Sequence, residues 1–288
     1  MKFEEQAMRK FQRNQQLLPL GMMALVVWLA APQAAMAADA PPNFSLTAQT
    51  AWVGIGIGAL LPVPGSPKPT MQDPAYRYIP NGTPGQQPTQ RISDISNPNL
   101  KQWAKDVMKK DNDEVLGGKF AFTARSSCKA AGVPGFDVLL GGALSILQSP
   151  REVTMIFSGN DEVRHILLNV PHSANPKPSW YGDSVGHYEG DTLVVDTIGM
   201  NDKTFVDNYR TPHTGKLHVT ERWRLIENGA KLEILMTIDD PDTFNQPWQA
   251  LRQYDRVNRT FEEDTCSENN SNHFDFDFGT PVAEKADF

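Results

Sequence analysis

The sequence predicts a mainly β fold: an antiparallel barrel of the calycin or lipocalin type, with a β-sandwich as the alternative. A long irregular N-terminal arm and one short helix accompany it. Three observations predict this. Beyond Phe122, short apolar runs alternate with turn residues almost to the end of the chain. Only one segment has helical spacing. Pro and Gly punctuate residues 41–96 too often for regular elements.

The elements follow in chain order. MKFEEQAMRKFQRNQQ is basic, LLPLGMMALVVWLAA is apolar, and Ala35-Met36-Ala37 offers a small-residue cleavage site. That order predicts a signal peptide over 1–37, and hence a periplasmic or secreted protein. Residues 38–96 form the arm. Within it Thr47–Gly65 carries no charge, and the alternation of Val53, Ile55 and Ile57 with glycine suits a strand lying close to other backbone. In Asn97–Val115, Leu100, Trp103, Ala104, Val107 and Met108 recur at helical spacing. Asn97 is expected as the cap and Trp103 as core.

Residues 97–288 are expected to form one β-rich domain. Its hairpins are 153–157 with 163–170, a pair turning at Glu189-Gly190-Asp191, and 216–226 with 230–238 across Glu227-Asn228-Gly229. Residues 248–256 and 260–266 complete about eight strands. A barrel closes its edges and can enclose a ligand.

Strand parity converts these runs into candidate residues. In KLHVTERWRLI, Leu217, Val219, Glu221, Trp223 and Leu225 share the inward face, while His218, Thr220, Arg222 and Arg224 face solvent. Asp240 ends the inward set of the next strand, and Arg252 shares a face with Trp248, Ala250 and Tyr254. A buried carboxylate is either paired or chemically useful. Glu221 therefore stands as a general acid or base, or as an internal ion pair, for example with Arg252; Asp240 is catalytic or caps its loop. Five of the six histidines fall between 165 and 218, and His172 and His213 lie in long loops at strand ends. His172, His213, Glu221 and Asp240 are the catalytic candidates. Trp180, Tyr181, Asn201, Asp202, Trp223, Arg252 and Tyr254 are the ligand-binding candidates.

The exclusions are also informative. Without residues 1–37 the net charge is −9, which argues against nucleic acid as a partner. No GxGxxG or GxxxxGK[ST] phosphate cradle occurs, so no nucleotide cofactor is expected, and no cofactor of any other kind is assigned. There is no HExxH zinc signature, and Ser184 lacks a GxSxG context. Cys128 and Cys266, the only cysteines, are an even pair for an oxidising compartment: a disulfide, or two separate buried thiols. The expected partner is a small organic molecule.

The stretch Trp180–Phe205, WYGDSVGHYEGDTLVVDTIGMNDKTF, resembles the hallmark of a large group of secreted proteins of Gram-negative bacteria. CKAAGVPG, VRHILLN, PHTGKLHVTERWRL, TIDDPDTFNQPW and CSENN follow the same order. The likeness covers about residues 97–273. Tyr188 and Met200 stand where that group has Trp and Phe, and Asn169-Val170-Pro171 replaces an Asp-Gly-Arg. The resemblance implies a β-rich extracytoplasmic domain and brings no particular reaction with it. The residues point to an acid–base enzyme (hydrolase, lyase or isomerase) acting on a partly apolar compound, to a binding protein for hydrophobic small molecules, or to a structural envelope domain.

Overall fold

A computed structural model describes residues 40–46, 50–56, 60–121, 123, 128–138 and 142–259. The expected signal peptide, the strand at 260–266 and Cys266 lie outside the described residues. Nine strands close into a barrel: β1 (Ala51–Gly54), β3 (Ala143–Gln148), β4 (Glu152–Phe157), β5 (Glu162–Leu168), β6 (Asp183–Glu189), β7 (Thr192–Ile198), β8 (His218–Ile226), β9 (Lys231–Asp239) and β10 (Trp248–Val257). They neighbour one another in that order, and β1 pairs with β10 to close the ring. The expected barrel is thus formed, and the sandwich is not.

One step departs from an all-antiparallel meander. β5 and β6 run parallel through Leu167–Val185 and Leu168–Gly186, because the long loop 169–182 carries the chain back before it re-enters the sheet. Two of the antiparallel joins are tight turns built on left-handed residues. Gly190 (φ 60°) turns β6 into β7, and Asn228 (φ 55°) with Gly229 (φ 82°) turns β8 into β9. These left-handed positions suit the residues found there.

Closure comes from the arm. β1 lies between β10 and β3, and the two-residue strand β2 (Leu61–Pro62) adds to β10 farther along the same edge. Trp52 anchors β1: it is fully buried, and its Nε1 donates to Phe44 O at 2.9 Å. Gly54 is required by close approach, since a Cβ there would stand 1.9 Å from Arg252 Nη2. Of the glycine-alternating stretch, Ala51–Gly54 is strand and Gly54 lies against the Arg252 side chain rather than other backbone, while Ile57 lies outside the described residues.

The helix spans Gln102–Leu116 and starts later than expected. Asn97 does not cap it. Its side chain instead accepts from the backbone of Asn99 in the preceding turn, and Lys101 is the cap position without a side-chain bond. The buried face is Ala104, Met108, Asn112 and Val115, so Trp103 is not core: it is 38 % exposed, and its indole N–H donates to Asp242 O. The helical period holds, but the buried stripe is rotated away from Trp103 because the small Ala104 admits the closest approach. Among the described residues no helix is long and apolar enough to cross a membrane.

The segment Ala131–Val138 is buried, and its last four residues form a helical turn, Gly135–Val138. The backbone carbonyl of Asp137 accepts from Tyr254 Oη (2.7 Å) and Arg252 Nε (3.1 Å), both on the inward face of β10. Phe136 meets Phe157 and Tyr181 edge to face, at 5.6 and 5.9 Å between centroids. This turn acts as a plug, and with Trp223, Trp248, Arg164 and Tyr254 it supplies large fully buried side chains to the interior.

Candidate functional site

Two polar constellations form on opposite faces of the barrel wall. The inner one centres on Arg164, which β5 directs inward between the buried Glu162 and Ile166. Its guanidinium holds Glu221 through both terminal nitrogens, Nη1 to Oε1 at 3.1 Å and Nη2 to Oε2 at 2.5 Å. It also reaches Asp137 Oδ2 (3.3 Å) and Thr197 Oγ1 (3.0 Å), and Thr197 in turn bonds Ser184 at 2.9 Å. The side chains of Arg164, Asp137 and Glu221 are wholly buried. Burial opposes the Arg164 cation, but the Glu221 and Asp137 carboxyls outweigh it and hold the group charged.

Glu221 is therefore an internal ion pair with Arg164 rather than with Arg252. Arg252 spends its donors on backbone carbonyls of Ile55 (2.5 Å), Gly56 (3.2 Å) and Asp137, and lies over the Tyr254 ring. Asp137 has a pKa well above the usual carboxylate range, first through burial and then through the charge of Glu221. Its Oδ1 finds no partner among the described donors. A proton on Asp137 would turn this carboxyl into a donor beside the Glu221 carboxylate.

Asp137→Asn therefore replaces a neutral group by its amide counterpart. Stability at pH 7 is expected not to fall below that of the parent chain, checked by urea unfolding. The sign of the pH effect follows from the raised pKa. Between the unfolded and folded values the native state holds the extra proton, so this group's contribution falls as pH rises, and the Asn variant lacks that fall.

The outer constellation centres on Asp196, which faces outward from β7. Its Oδ1 meets His172 Nε2 at 2.6 Å, and its Oδ2 meets His218 Nε2 at 2.7 Å. Thr220 Oγ1 adds a 3.4 Å contact. The pairing of Asp196 with Thr220 across β7 and β8 sets His218 one step diagonal to the carboxylate. Asp183 completes the group: its Oδ2 accepts the Ser173 N–H at 2.7 Å and stands 3.5 Å from His172 Nδ1. Partial burial pushes the Asp196 carboxyl up, but the bonds from His172 and His218 outweigh this and lower it.

The side chains of Asp183 and His172 are 16 % and 23 % exposed and those of Asp196 and His218 are 36 % and 43 % exposed, so the group opens to solvent on the His218 side. With its Nε2 on Asp196, His218 keeps Nδ1 as the second ring nitrogen of a side chain that is 43 % exposed. Among the described residues no group of His, Cys, Asp and Glu is arranged to hold a metal ion.

The sequence-predicted catalytic residues do not converge. Only His172 belongs to the outer group, and only Glu221 to the inner one. His213 is buried: Thr204 Oγ1 lies 2.8 Å from Nε2 and Thr214 O lies 3.0 Å from Nδ1. Burial lowers its pKa, holding it neutral with Nδ1–H donating. Asp240 is the loop cap. Its carboxylate accepts from Thr214 N (2.6 Å), Thr214 Oγ1 (3.0 Å), Thr243 Oγ1 (2.8 Å) and Asp242 N (3.0 Å). Burial raises its pKa, and these bonds more than reverse the effect.

The ligand-binding candidates are likewise dispersed. Trp223 and Tyr254 are core, and Tyr181 packs on the plug with its hydroxyl donating to Glu162. Trp180 is half-buried, and its backbone carbonyl lies close to Gly132. Asn201 turns its own loop, accepting from Lys203 N at 3.0 Å, and Asp202 is exposed. Cys128 is described, but its expected partner is not.

Sequence reasoning missed Asp137, Arg164, Asp183, Asp196 and His218. Strand parity places His218 and Thr220 on the outward face, but the register that brings His218 diagonal to Asp196 follows a long loop from Ile198 to His218 and is set by the sheet itself. No family model matches the chain, and no curated protein matches it either.

Proposed function

We propose that the protein is an exported enzyme that acts on a small, partly apolar organic compound by acid–base chemistry, with Asp196 and His218 as the working pair. The observation that carries this reading is one carboxylate held between two imidazoles at hydrogen-bond distance, on a side of the barrel where the His218 ring is 43 % exposed. Asp196 accepts the Nε2 proton of His218 and so keeps the Nδ1 lone pair free to take a proton from a carbon acid or from an attacking water. The proton then returns to the leaving group or to the product. His172, fixed between Asp196 and Asp183, orients the carboxylate. The basic–apolar–small order of residues 1–37 supports export. Membership of the secreted group whose motifs the chain resembles, and a Cys128–Cys266 disulfide, belong to the same proposal.

The test is a panel covering the three reaction classes: activated aryl esters and lactones, β-elimination substrates, and enolisable ketones. Turnover of at least one class is expected, falling at least ~100-fold in His218→Gln. Absence of turnover across the panel, or equal turnover by the variant, overturns the reading.

A binding role inside the barrel is the second reading. It is favoured by the buried indole N–H groups of Trp223 and Trp248, which have no acceptor among the described residues. A retained molecule, detected by native mass spectrometry and released on denaturation, is its expected signature.

A further inference from the structure

A third charged cluster joins the arm to the turn after β7, and neither constellation of the barrel wall uses it. Arg91, in the arm, donates through Nη1 to the backbone carbonyl of Asn208 at 3.0 Å and to its side-chain oxygen. Arg210 is 4 % exposed and adopts a left-handed backbone (φ 62°), an uncommon state for a residue with a Cβ. Its Nη2 donates to Asp111 O at 3.0 Å, near the end of the helix. The Nε–H groups of both arginines are buried and have no partner among the described residues.

Countercharge is scarce there. The nearest carboxylate oxygen to Arg210 is Asp111 Oδ2, at 3.8 Å. Asp207, on the same turn, is spent on its own backbone and on Thr211: it accepts from Tyr209 N (2.8 Å), Thr211 N (3.2 Å) and Thr211 Oγ1 (2.6 Å). Burial also raises its pKa, toward the neutral form. Burial and the neighbouring Arg210 together lower the Arg91 pKa to about 10. Two adjacent cations with idle donors, compensated only in part by Asp111 at 3.8 Å and by Glu114 near Arg210, leave buried donors that an anion would complete.

We propose that Arg91 and Arg210 form a binding site for a small oxyanion, a carboxylate or a phosphate, that takes the two free Nε–H donors and fastens the arm to the 204–213 turn. Guanidinium forks match the two-oxygen edge of either group.

The experiment follows the arginine Nε–H resonances of the whole chain by NMR. Sodium phosphate and sodium succinate are titrated separately against sodium chloride at matched ionic strength, with Arg91→Lys and Arg210→Lys serving to assign the two signals. The expected result is a saturable shift of both signals with at least one of the two anions and none with chloride. Each Lys variant should bind at least ~10-fold more weakly, because Lys keeps the charge but lacks the fork. Response to phosphate alone identifies a phosphate ligand, and response to succinate alone identifies a carboxylate. If neither signal shifts saturably in the parent chain, or if a folded variant binds equally well, the proposal is wrong; the first criterion needs no variant to fold.

Discussion

Glu221→Ala is expected to lose about 3–5 kcal/mol of unfolding free energy at pH 7, the usual cost of removing one partner from a buried ion pair. The pair is wholly enclosed, and Arg164 meets Glu221 through two parallel bonds, so truncation leaves a cation with no solvent to turn to. The vacated volume adds a cavity penalty in a close-packed interior. One compensation is available. Asp137, relieved of the neighbouring charge, can ionise and hold Arg164 from 3.3 Å. This places the loss nearer the lower end of the range. The contrast with Asp137→Asn is the sharper test: of two carboxyls on one arginine, removing the charge of Glu221 should be costly and removing that of Asp137 should not, because Glu221 is the bidentate counter-ion and Asp137 is held toward its protonated form. Urea titrations of both variants at the same pH read the difference. A loss below about 1 kcal/mol for Glu221→Ala would mean the interior admits water or another acceptor.

Asp196→Asn is expected to reduce turnover by about 10²–10⁴-fold, with the fold intact. Asparagine keeps the shape but has one acceptor oxygen and one NH2 group, while Asp196 serves two imidazole Nε2 atoms with two acceptors. One of the two rings must then accept from the amide, which moves its proton to Nδ1. If that ring is His218, Nδ1 carries a proton and cannot act as a base. If it is His172, the clamp that sets the carboxylate is lost instead. A variant with the parent chain's turnover and unchanged circular dichroism would show that Asp196 does not orient the working base.

Much of the barrel was legible because alternation and turn chemistry agreed. In β8 and β9 the inward sets Val219, Glu221, Trp223 and Leu232, Ile234, Met236, Ile238 follow from parity, and the Asn228-Gly229 turn sets their register. β5 defeats the same reasoning. It buries Glu162 and Arg164 and exposes Val163 and Leu167, so hydrophobic alternation points both ways. Arg164 is inward because Glu221 waits across the interior, a long-range fact that no local pattern contains. The same holds for Asp137, since nothing in GVPGFDV says that the chain enters a barrel. His218 was assigned to the outer face correctly, but that face was equated with solvent. The return of loop 169–182, which brings His172 and Asp183 onto it, depends on the parallel β5–β6 step.

The most direct test of the Asp196 arrangement is long-range 15N–1H NMR of the imidazole nitrogens, with His218 assigned by comparison with His218→Gln. The structure predicts that neutral His218 carries its proton on Nε2, leaving Nδ1 bare. A proton on Nδ1, or an unbiased mixture of the two tautomers, would contradict the hydrogen bond on which the proposed acid–base role rests.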